Sequence, residues 1–397
     1  MVSDSLFDNP FTPDYGIPPP YLAGRDEEKR RIYELVGATA SRRCVAKDII
    51  IYGPRGTGKT ALLRDISHRI ETEHKNATIL LIPAIDLEAS EDVGKLLIRE
   101  VGRPLWEAMK PESFGLNWQG LEAKWNKGDL SLSSVRKGLS AKCQRNPLII
   151  LVDEAHTLDS EVCRKLFNEA QTIRGVGGPM VVVLAGKPQL VGIGNRSDVS
   201  FIERGETISV GLLDGESSAQ AISIPLRRER MEIDGEALQR LVDDAQGYPH
   251  YLQLWGSEIW KLAKLKQKNH IDASDISVVM PNVRKEREAA YAERFNSWMG
   301  QDRLLLQKIT GRLSKSGMVA EPRMEEMITE ELKIQGRQET EVERIYGKMV
   351  ETDYVWRIRG DKTLMPSIPS FFGFLREAER QKIAERKRES RRGGAGS

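Results

Sequence analysis

One glycine-rich motif constrains the fold of this chain more than any other part of its sequence. The motif occupies residues 53–60, reads Gly-Pro-Arg-Gly-Thr-Gly-Lys-Thr and fits the pattern G-x-x-x-x-G-K-[ST]. It follows the apolar run 49–52, typical of a short strand, and precedes the helix-forming run 61–66. In this strand–loop–helix order the glycines let backbone N–H groups surround phosphates, and the helix N-terminus adds partial positive charge. The sequence therefore predicts a site for ATP or GTP.

This phosphate loop, residues 53–60, also predicts the roles of individual side chains. We expect Lys59 to reach the β- and γ-phosphates and the Thr60 hydroxyl to bind Mg²⁺. The candidate nucleotide-binding residues of this region are Gly53, Pro54, Arg55, Gly56, Thr57, Gly58, Lys59, Thr60 and Ala61.

A second motif is an apolar run, residues 147–152, that ends in Asp153 and Glu154. A buried parallel strand reads as such a run, and its C-terminal end faces the ligand crevice. We expect Asp153 to hold Mg²⁺, usually through water, and Glu154 to orient or deprotonate an attacking water. His156 completes Asp-Glu-Ala-His, which is not interpreted as a helicase signature because no other helicase motif is visible. His156 is interpreted as a helix-start residue rather than a catalytic one.

The composition is that of a globular chain with two or three domains. The chain has 397 residues, of which 40% are hydrophobic and 30% charged. Its net charge of +2 gives no global attraction to nucleic acid, so local clusters must provide any such contact. The three cysteines are scattered without metal-ligand spacing, which favours a reducing compartment. No apolar run reaches the length of a membrane span, and we expect a cytoplasmic protein without membrane contact.

Strand and helix patterns alternate in the first half of the chain and then change twice. Short apolar runs predict five strands, at 48–53, 78–82, 147–152, 180–185 and 206–210. Such alternation predicts an α/β fold with a parallel sheet. From about residue 214 to 295 the pattern is helical.

The C-terminal part has the pattern of a winged helix. Three helices are predicted at 304–313, 321–332 and 339–351, followed by a hairpin through 355–359 and 363–365. The predicted divisions of the chain are an extended segment 1–20, a nucleotide-binding core 21–213, a helical lid domain 214–298, a winged-helix domain 299–375 and a charged tail 376–397.

The order of these features resembles the AAA+ branch of the P-loop ATPases, and within it the origin-recognition and replication-initiator type. The resemblance rests on the run 22–26, Leu-Ala-Gly-Arg-Asp, followed by the phosphate loop, the Asp-Glu strand, the lid and the winged helix. It implies an α/β parallel-sheet AAA+ core that binds ATP against the lid. Tyr21, Leu22 and Gly24 would then lie on the adenine side.

The segment 201–208 resembles the part of these ATPases that precedes the fifth strand. An arginine there often reaches the γ-phosphate of a neighbouring subunit, and Arg204 is the candidate in this chain. That role implies self-association through the ATP site. In the alternative interpretation Arg204 is a surface residue that pairs with Glu203 or Glu206.

Two further segments resemble other ATPases. Residues 186–190, Gly-Lys-Pro-Gln-Leu, resemble ATPases that regulate transposition or secretion, and they put Lys187 where initiators carry a phosphate sensor. Residues 247–250, Gly-Tyr-Pro-His, resemble the Gly-x-Pro element of STAND signalling ATPases, in which lid contacts hold the nucleotide. Pro249 and His250 are therefore nucleotide-site candidates, although His250 could instead cap the helix. A weakened sensor implies slow hydrolysis and a switch rather than a motor.

The winged-helix pattern leaves two kinds of partner open. Arg357, Arg359 and Lys362 lie on or beside the wing, where contact with DNA phosphates is expected. The third helix is acidic and would repel phosphate, which favours a protein partner instead. Trp118 and Trp125 could stack on a base or a partner, or pack over a local core.

The sequence thus predicts an ATP- and Mg²⁺-dependent AAA+ switch that oligomerises with ATP and acts on DNA. The alternative is a STAND-like regulator whose nucleotide state gates a protein partner, such as a nuclease or transposase. Salt-sensitive DNA binding that strengthens with ATP would distinguish the first from the second.

Overall fold

A five-stranded parallel sheet forms the centre of the nucleotide-binding part of the chain. The structure, a computed structural model, describes residues 9–13, 18–85, 143–194, 200–314 and 316–377. The sheet strands are β1 (Asp48–Tyr52), β2 (Thr78–Pro83), β3 (Leu148–Asp153), β4 (Met180–Gly186) and β5 (Gly205–Ser209). Their order is β2-β3-β4-β1-β5, and all neighbouring pairs are parallel. The predicted α/β class and its five strands are confirmed.

Helices cover both faces of this sheet, which is why its strands read as apolar runs. Ile49 and Ile51 of β1 point to the face covered by α1 (Asp26–Ala40) and α2 (Lys59–Glu73). Ile50 points to the face covered by α3 (Ser160–Gly175). Because the strands are parallel, the carboxyl ends of β1, β3 and β4 meet at one edge, where the phosphate loop begins.

A buried ion pair lies at the opposite end of the strands, where β1 begins. Asp48, at the start of β1, is fully buried and accepts hydrogen bonds from both terminal nitrogens of Arg174, at 2.7 and 2.8 Å. It also accepts one from the Val182 N–H at 2.9 Å. Burial raises the pKa of Asp48, and Arg174 opposes that shift. Removing one partner would leave a buried charge and cost about 3–5 kcal/mol.

The lid consists of four helices packed beside the sheet. They are α4 (Gly215–Arg228), α5 (Gly235–Ala245), α6 (Pro249–Leu265) and α7 (Ala273–Asn296), with a small parallel pair of β6 (Glu232–Ile233) and β7 (His270–Ile271). Asp244 joins three of these helices, because it accepts hydrogen bonds from Trp255 Nε1 at 2.8 Å and from Arg287 Nη1 at 2.6 Å.

The last part of the described chain is a winged helix, as predicted. Its elements are α8 (Gly300–Arg312), β8 (Val319–Ala320), α9 (Glu321–Ile334), α10 (Val342–Glu351), β9 (Val355–Trp356) and β10 (Thr363–Pro366). The predicted third helix differs in its first turn, because residues 339–341 form a 3-10 turn and the α-helix begins at Val342. The sequence also missed β8, which makes the hairpin a three-stranded sheet in the order β8-β10-β9.

Several predictions concern residues outside the described ranges. Trp118, Trp125 and the tail beyond residue 377 belong to this group, as do residues 1–8. The domain boundaries proposed from the sequence stay predictions. Within the described ranges, none of the helices combines the length and the hydropathy needed to span a bilayer.

Candidate nucleotide site

The phosphate loop joins β1 to α2 and has the backbone conformation that phosphate binding requires. Gly56 and Gly58 have φ angles of 78° and 95°, in the left-handed region that favours glycine. Gly58 is the N-cap of α2, so the free N–H groups of the first helical turn point into the loop. The loop is therefore a preformed anion site at a helix N-terminus.

Lys59 is held inside the phosphate loop. Its ammonium group donates to the Gly53 carbonyl at 2.9 Å and to the Pro54 carbonyl at 2.7 Å, and the residue is 5% exposed. Burial lowers the pKa of Lys59 to about 8, while Asp353, Glu154 and Asp153 oppose that shift. A phosphate bound against this ammonium would favour its charged form.

The side chains of Thr60 and Asp153, the two residues predicted to bind Mg²⁺, meet beside the phosphate loop. The Thr60 hydroxyl donates to Asp153 Oδ2 at 2.7 Å, so the first turn of α2 meets the end of β3. Mg²⁺ in phosphate sites uses one or two protein oxygens and takes its other ligands from water and phosphate. These two residues fit that donor set.

Glu154 follows Asp153 in a strained conformation that turns its side chain toward solvent. Its φ is 55°, in the left-handed region, and its side chain is 56% exposed. His156 lies beside it in a short 3-10 helix, with Nδ1 3.4 Å from Glu154 Oε2. Burial, with help from Lys187 and Lys59, lowers the pKa of His156 to about 4. The imidazole is therefore neutral at physiological pH.

A cleft of about 360 Å³ extends from the phosphate loop between the sheet and the lid. Its lining includes the predicted adenine-side residues Tyr21 and Leu22 and the lid residues Pro249 and His250. Gly24 lies just beyond, against the Ser217 side chain of α4. The structure thus brings both predicted sides of the nucleotide site together.

The N-terminal segment 9–13 contributes a wall of this cleft that the sequence did not predict. Phe11 is 3% exposed and packs on Gly256 of α6, where a Cβ atom would approach its ring to 2.2 Å. The Thr12 N–H donates to Gln253 Oε1 at 3.2 Å, and both residues line the cleft. The segment is therefore fastened to the lid rather than to the sheet.

Two further residues that sequence reasoning missed connect the phosphate loop to its surroundings. Arg25 is 4% exposed and donates to the carbonyls of Thr57, at 3.1 Å, and Gly211, at 2.5 Å. Tyr248 is fully buried, and its hydroxyl donates to the Arg55 carbonyl at 2.8 Å. Arg25 lies in the run 22–26 and Tyr248 in the run 247–250, so these two motifs were the only sequence signal for them.

The winged helix contacts the phosphate loop directly. The Asp353 carboxylate accepts a hydrogen bond from the Arg55 N–H at 3.1 Å and lies 3.6 Å from Lys187 Nζ. Lys187 also donates to the Glu351 carbonyl at 3.0 Å. The Arg359 N–H donates to the hydroxyl of Tyr52, the last residue of β1, at 2.7 Å. Lys187 therefore lies in the cleft but is engaged by the winged helix.

Apolar contacts extend this docked surface. Val350 of α10 packs on Gly194, and Trp356 of β9 packs over Gly211. The docked surface, defined here by Tyr52, Gly194 and Gly211 on the ATPase side, borders the phosphate loop.

Arg204 lies at the end of a short 3-10 helix immediately before β5, and it is exposed. Glu206 does not pair with it, because Glu206 accepts two hydrogen bonds from Arg31, at 3.0 and 2.5 Å. Within the described part of the chain, no ion pair joins Arg204 to Glu203 either. The position leaves this guanidinium available to a neighbouring molecule.

The three basic wing residues differ in their surroundings. Arg359 and Lys362 are exposed in the turn between β9 and β10. Arg357 is half-buried and donates to Glu321 Oε1 at 3.0 Å and to the Asp361 carbonyl at 3.2 Å. Two of the three are thus free to meet an anionic surface.

Comparisons with known proteins agree with this geometry. Residues 21–183 match the AAA ATPase domain. The chain is similar in structure to the Walker-type ATPase paby2304 of Pyrococcus abyssi, with a TM-score of 0.56, 18% identity and coverage of 94% of this chain and 99% of that one. It is also similar to the ORC2 protein of Aeropyrum pernix in its ADPNP–ADP complexes, with a TM-score of 0.57, 12% identity and coverage of 93% and 98%. A search among curated proteins found no match.

Residues 21–183 are therefore an AAA ATPase domain, and the parallel sheet and the phosphate loop provide its nucleotide-site geometry. With its helical lid and winged helix, the chain shares its fold with the ORC2 protein, so the resemblance predicted from the sequence is confirmed at the level of the fold.

Proposed function

We propose that this chain is an ATP-hydrolysing switch that assembles with ATP and acts on DNA through its winged helix. One observation carries the proposal: the winged helix contacts the phosphate loop itself, through Asp353 and the Arg55 N–H at 3.1 Å. Nucleotide at the loop and the position of the winged helix are then coupled, as a switch requires.

The site residues support ATP hydrolysis with Mg²⁺. Lys59 and the loop N–H groups would hold the phosphates, and Thr60 with Asp153 would hold the metal. Bound Mg²⁺ would neutralise charge on the β- and γ-phosphate oxygens. The exposed Glu154 carboxylate would orient a water molecule and take its proton. Because the Glu351 carbonyl and Asp353 hold Lys187, the winged helix must move before this ammonium can serve a γ-phosphate, and we expect hydrolysis to be slow.

Self-association would place Arg204 of one protomer at the γ-phosphate of the next. The exposure of this guanidinium and the pairing of Glu206 with Arg31 support that role. A cation supplied in this way stabilises the charge of the transferring phosphoryl group.

DNA contact would come from the wing. Arg359 and Lys362 are exposed at its tip, where winged helices touch the phosphate backbone. Two such contacts would make binding dependent on salt, because each releases counterions.

The test is fluorescence anisotropy of a labelled duplex with the full chain and ATP, ADP or no nucleotide, at two salt concentrations. Binding should strengthen with ATP. Replacing Arg359 and Lys362 by Ala should reduce the slope of log K against log salt by about 2. The matched control replaces Arg284 and Lys285, exposed on α7, and should leave the slope unchanged. Flat anisotropy in every condition would contradict the proposal.

Flat anisotropy would instead favour a STAND-like regulator of a protein partner. Two observations support this second candidate: Tyr248, between Gly247 and Pro249, ties the lid to the phosphate loop, and the exposed face of α10 carries Glu343. Its test is the nucleotide released when the purified protein is denatured. Stoichiometric ADP in the wild type, absent from Lys59→Ala, is the expected result; a nucleotide-free wild type would contradict it.

A further inference from the structure

Asp353 reaches the phosphate loop from a part of the chain 298 residues away in sequence. One carboxylate oxygen, Oδ1, accepts from the Arg55 N–H at 3.1 Å, and the other, Oδ2, lies 3.6 Å from Lys187 Nζ. Arg55, Lys187 and Lys59 all line the nucleotide cleft. The Asp353 carboxylate therefore already occupies the Arg55 N–H and the Lys187 ammonium on the phosphate side of that cleft.

The surroundings of Asp353 hold it in this position. The residue is 3% exposed, and its φ of 55° lies in the left-handed region, which Asp adopts more readily than most non-glycine residues. It lies between α10 and β9, close to the Glu351 carbonyl that binds Lys187. Among the charged groups that raise the pKa of Lys59, Asp353 contributes most, ahead of Glu154 and Asp153.

The terminal phosphate is the difference between ATP and ADP, and it adds negative charge beside this carboxylate. Two anions that share donors in a buried site repel each other strongly, because solvent screens them little. ADP ends at the β-phosphate and avoids most of this repulsion.

We infer that Asp353 determines which nucleotide the site accepts: with the winged helix docked, its carboxylate occupies donors that the γ-phosphate needs, so ADP is favoured over ATP. This inference rests on the proposed function, since it takes the cleft to be the nucleotide site. ATP then binds only as Asp353 withdraws, and the contacts of the docked surface are lost with it.

The test compares the affinities of AMP-PNP and ADP, each with Mg²⁺, for wild type and Asp353→Asn by titration calorimetry. AMP-PNP should bind the variant at least about tenfold more tightly, while the ADP affinity changes by less than about twofold. Glu351→Gln removes an exposed carboxylate two residues earlier and keeps the backbone carbonyl that binds Lys187, so it is the matched control and should behave as wild type. Equal changes for both nucleotides, or no change, would overturn the inference. A wild type that binds neither nucleotide would contradict the proposed function itself.

A second measurement needs no substitution at Asp353. Fluorophores on the exposed Cys44 and on Lys362→Cys report the distance between the ATPase core and the wing, since Cys143 and Cys163 are buried. AMP-PNP should lower the energy transfer and ADP should not. The same transfer with both nucleotides would overturn the inference.

Discussion

The hydroxyl of Tyr248 donates a hydrogen bond to the carbonyl of Arg55 at 2.8 Å and thereby joins the lid to the phosphate loop. The tyrosine is fully buried and stands immediately before α6, whose residues line the nucleotide cleft. The lid therefore contacts the loop backbone whether or not its other residues touch nucleotide.

Tyr248→Phe should weaken ATP binding about fivefold, because one neutral hydrogen bond contributes about 1 kcal/mol. Equilibrium titration with a fluorescent ATP analogue measures the effect. Tyr33→Phe is the control, since the buried Tyr33 hydroxyl has no hydrogen bond within the described residues. An unchanged ATP affinity in Tyr248→Phe would show that the hydrogen bond from Tyr248 to Arg55 does not stabilise the ATP-bound protein.

Glu154→Gln should keep ATP binding and lower the hydrolysis rate at least about 10²-fold, because the amide cannot take a proton from water. Single-turnover hydrolysis of bound ATP separates this step from binding. Glu236→Gln, an exposed change on α5, should hydrolyse at the wild-type rate. A Glu154→Gln protein that still turns over normally would exclude Glu154 as the base.

Arg204→Ala should lower hydrolysis about 10³-fold if the guanidinium acts on a neighbouring subunit. Mixing provides the decisive measurement: Arg204→Ala protomers keep an intact phosphate loop, and Lys59→Ala protomers keep the arginine. Neither variant should hydrolyse ATP alone, and their mixture should recover activity. Absence of recovery would mean that Arg204 acts within its own chain or not at all.

ATP affinity should fall as pH rises above about 8, which is the lowered pKa of Lys59 in the unliganded site. A bound phosphate favours the ammonium form, so above this pH the protein must take up a proton to bind. The affinity then drops by up to about tenfold per pH unit. Calorimetry at pH 8.5 in two buffers of different ionisation enthalpy measures the proton uptake. Lys59→Arg stays charged and should show none.

Gly256→Ala should displace the N-terminal segment, since its new Cβ would lie 2.2 Å from the Phe11 ring. Phe11→Ala should have the same effect by removing about 2–3 kcal/mol of burial. Both should weaken ATP binding and make the N-terminus sensitive to chymotrypsin, which cleaves after aromatic residues such as Phe7 and Tyr15. Gly373→Ala is the control, because a Cβ there meets no atom within 4 Å. If only one of the two variants weakens ATP binding and exposes the N-terminus, the contact between Phe11 and Gly256 does not hold the segment.

The sequence predicted the elements that depend on local patterns. The apolar run at β1 predicted a buried strand, and the structure has it at Asp48–Tyr52 with every residue buried. The phosphate loop and Asp153 could be assigned because motif spacing and strand polarity bring them to one edge. Thr60 and Asp153 are 93 positions apart in sequence, yet their side chains meet at 2.7 Å.

The contacts that the sequence did not predict are long-range and lack a periodic signal. Asp353 lies in a turn after a helix, where an acidic residue ordinarily faces water. Its partner Arg55 contributes only a backbone N–H, which every residue except proline has, so the residue type gives no sign of this contact. The strand β8 has two residues, too few for any alternation to show. Arg25 stood inside a quoted motif, but only the fold shows that it binds Thr57 and Gly211.

The docked surface has a consequence for dissecting this protein. A truncation before residue 299 would leave Tyr52, Gly194 and Gly211 without their covering side chains, and Arg55 and Lys187 without Asp353. Such a fragment could fold and bind nucleotide, yet its loop would stand in a different electrostatic field. Its turnover would describe a site that the intact chain forms only when the winged helix has moved away.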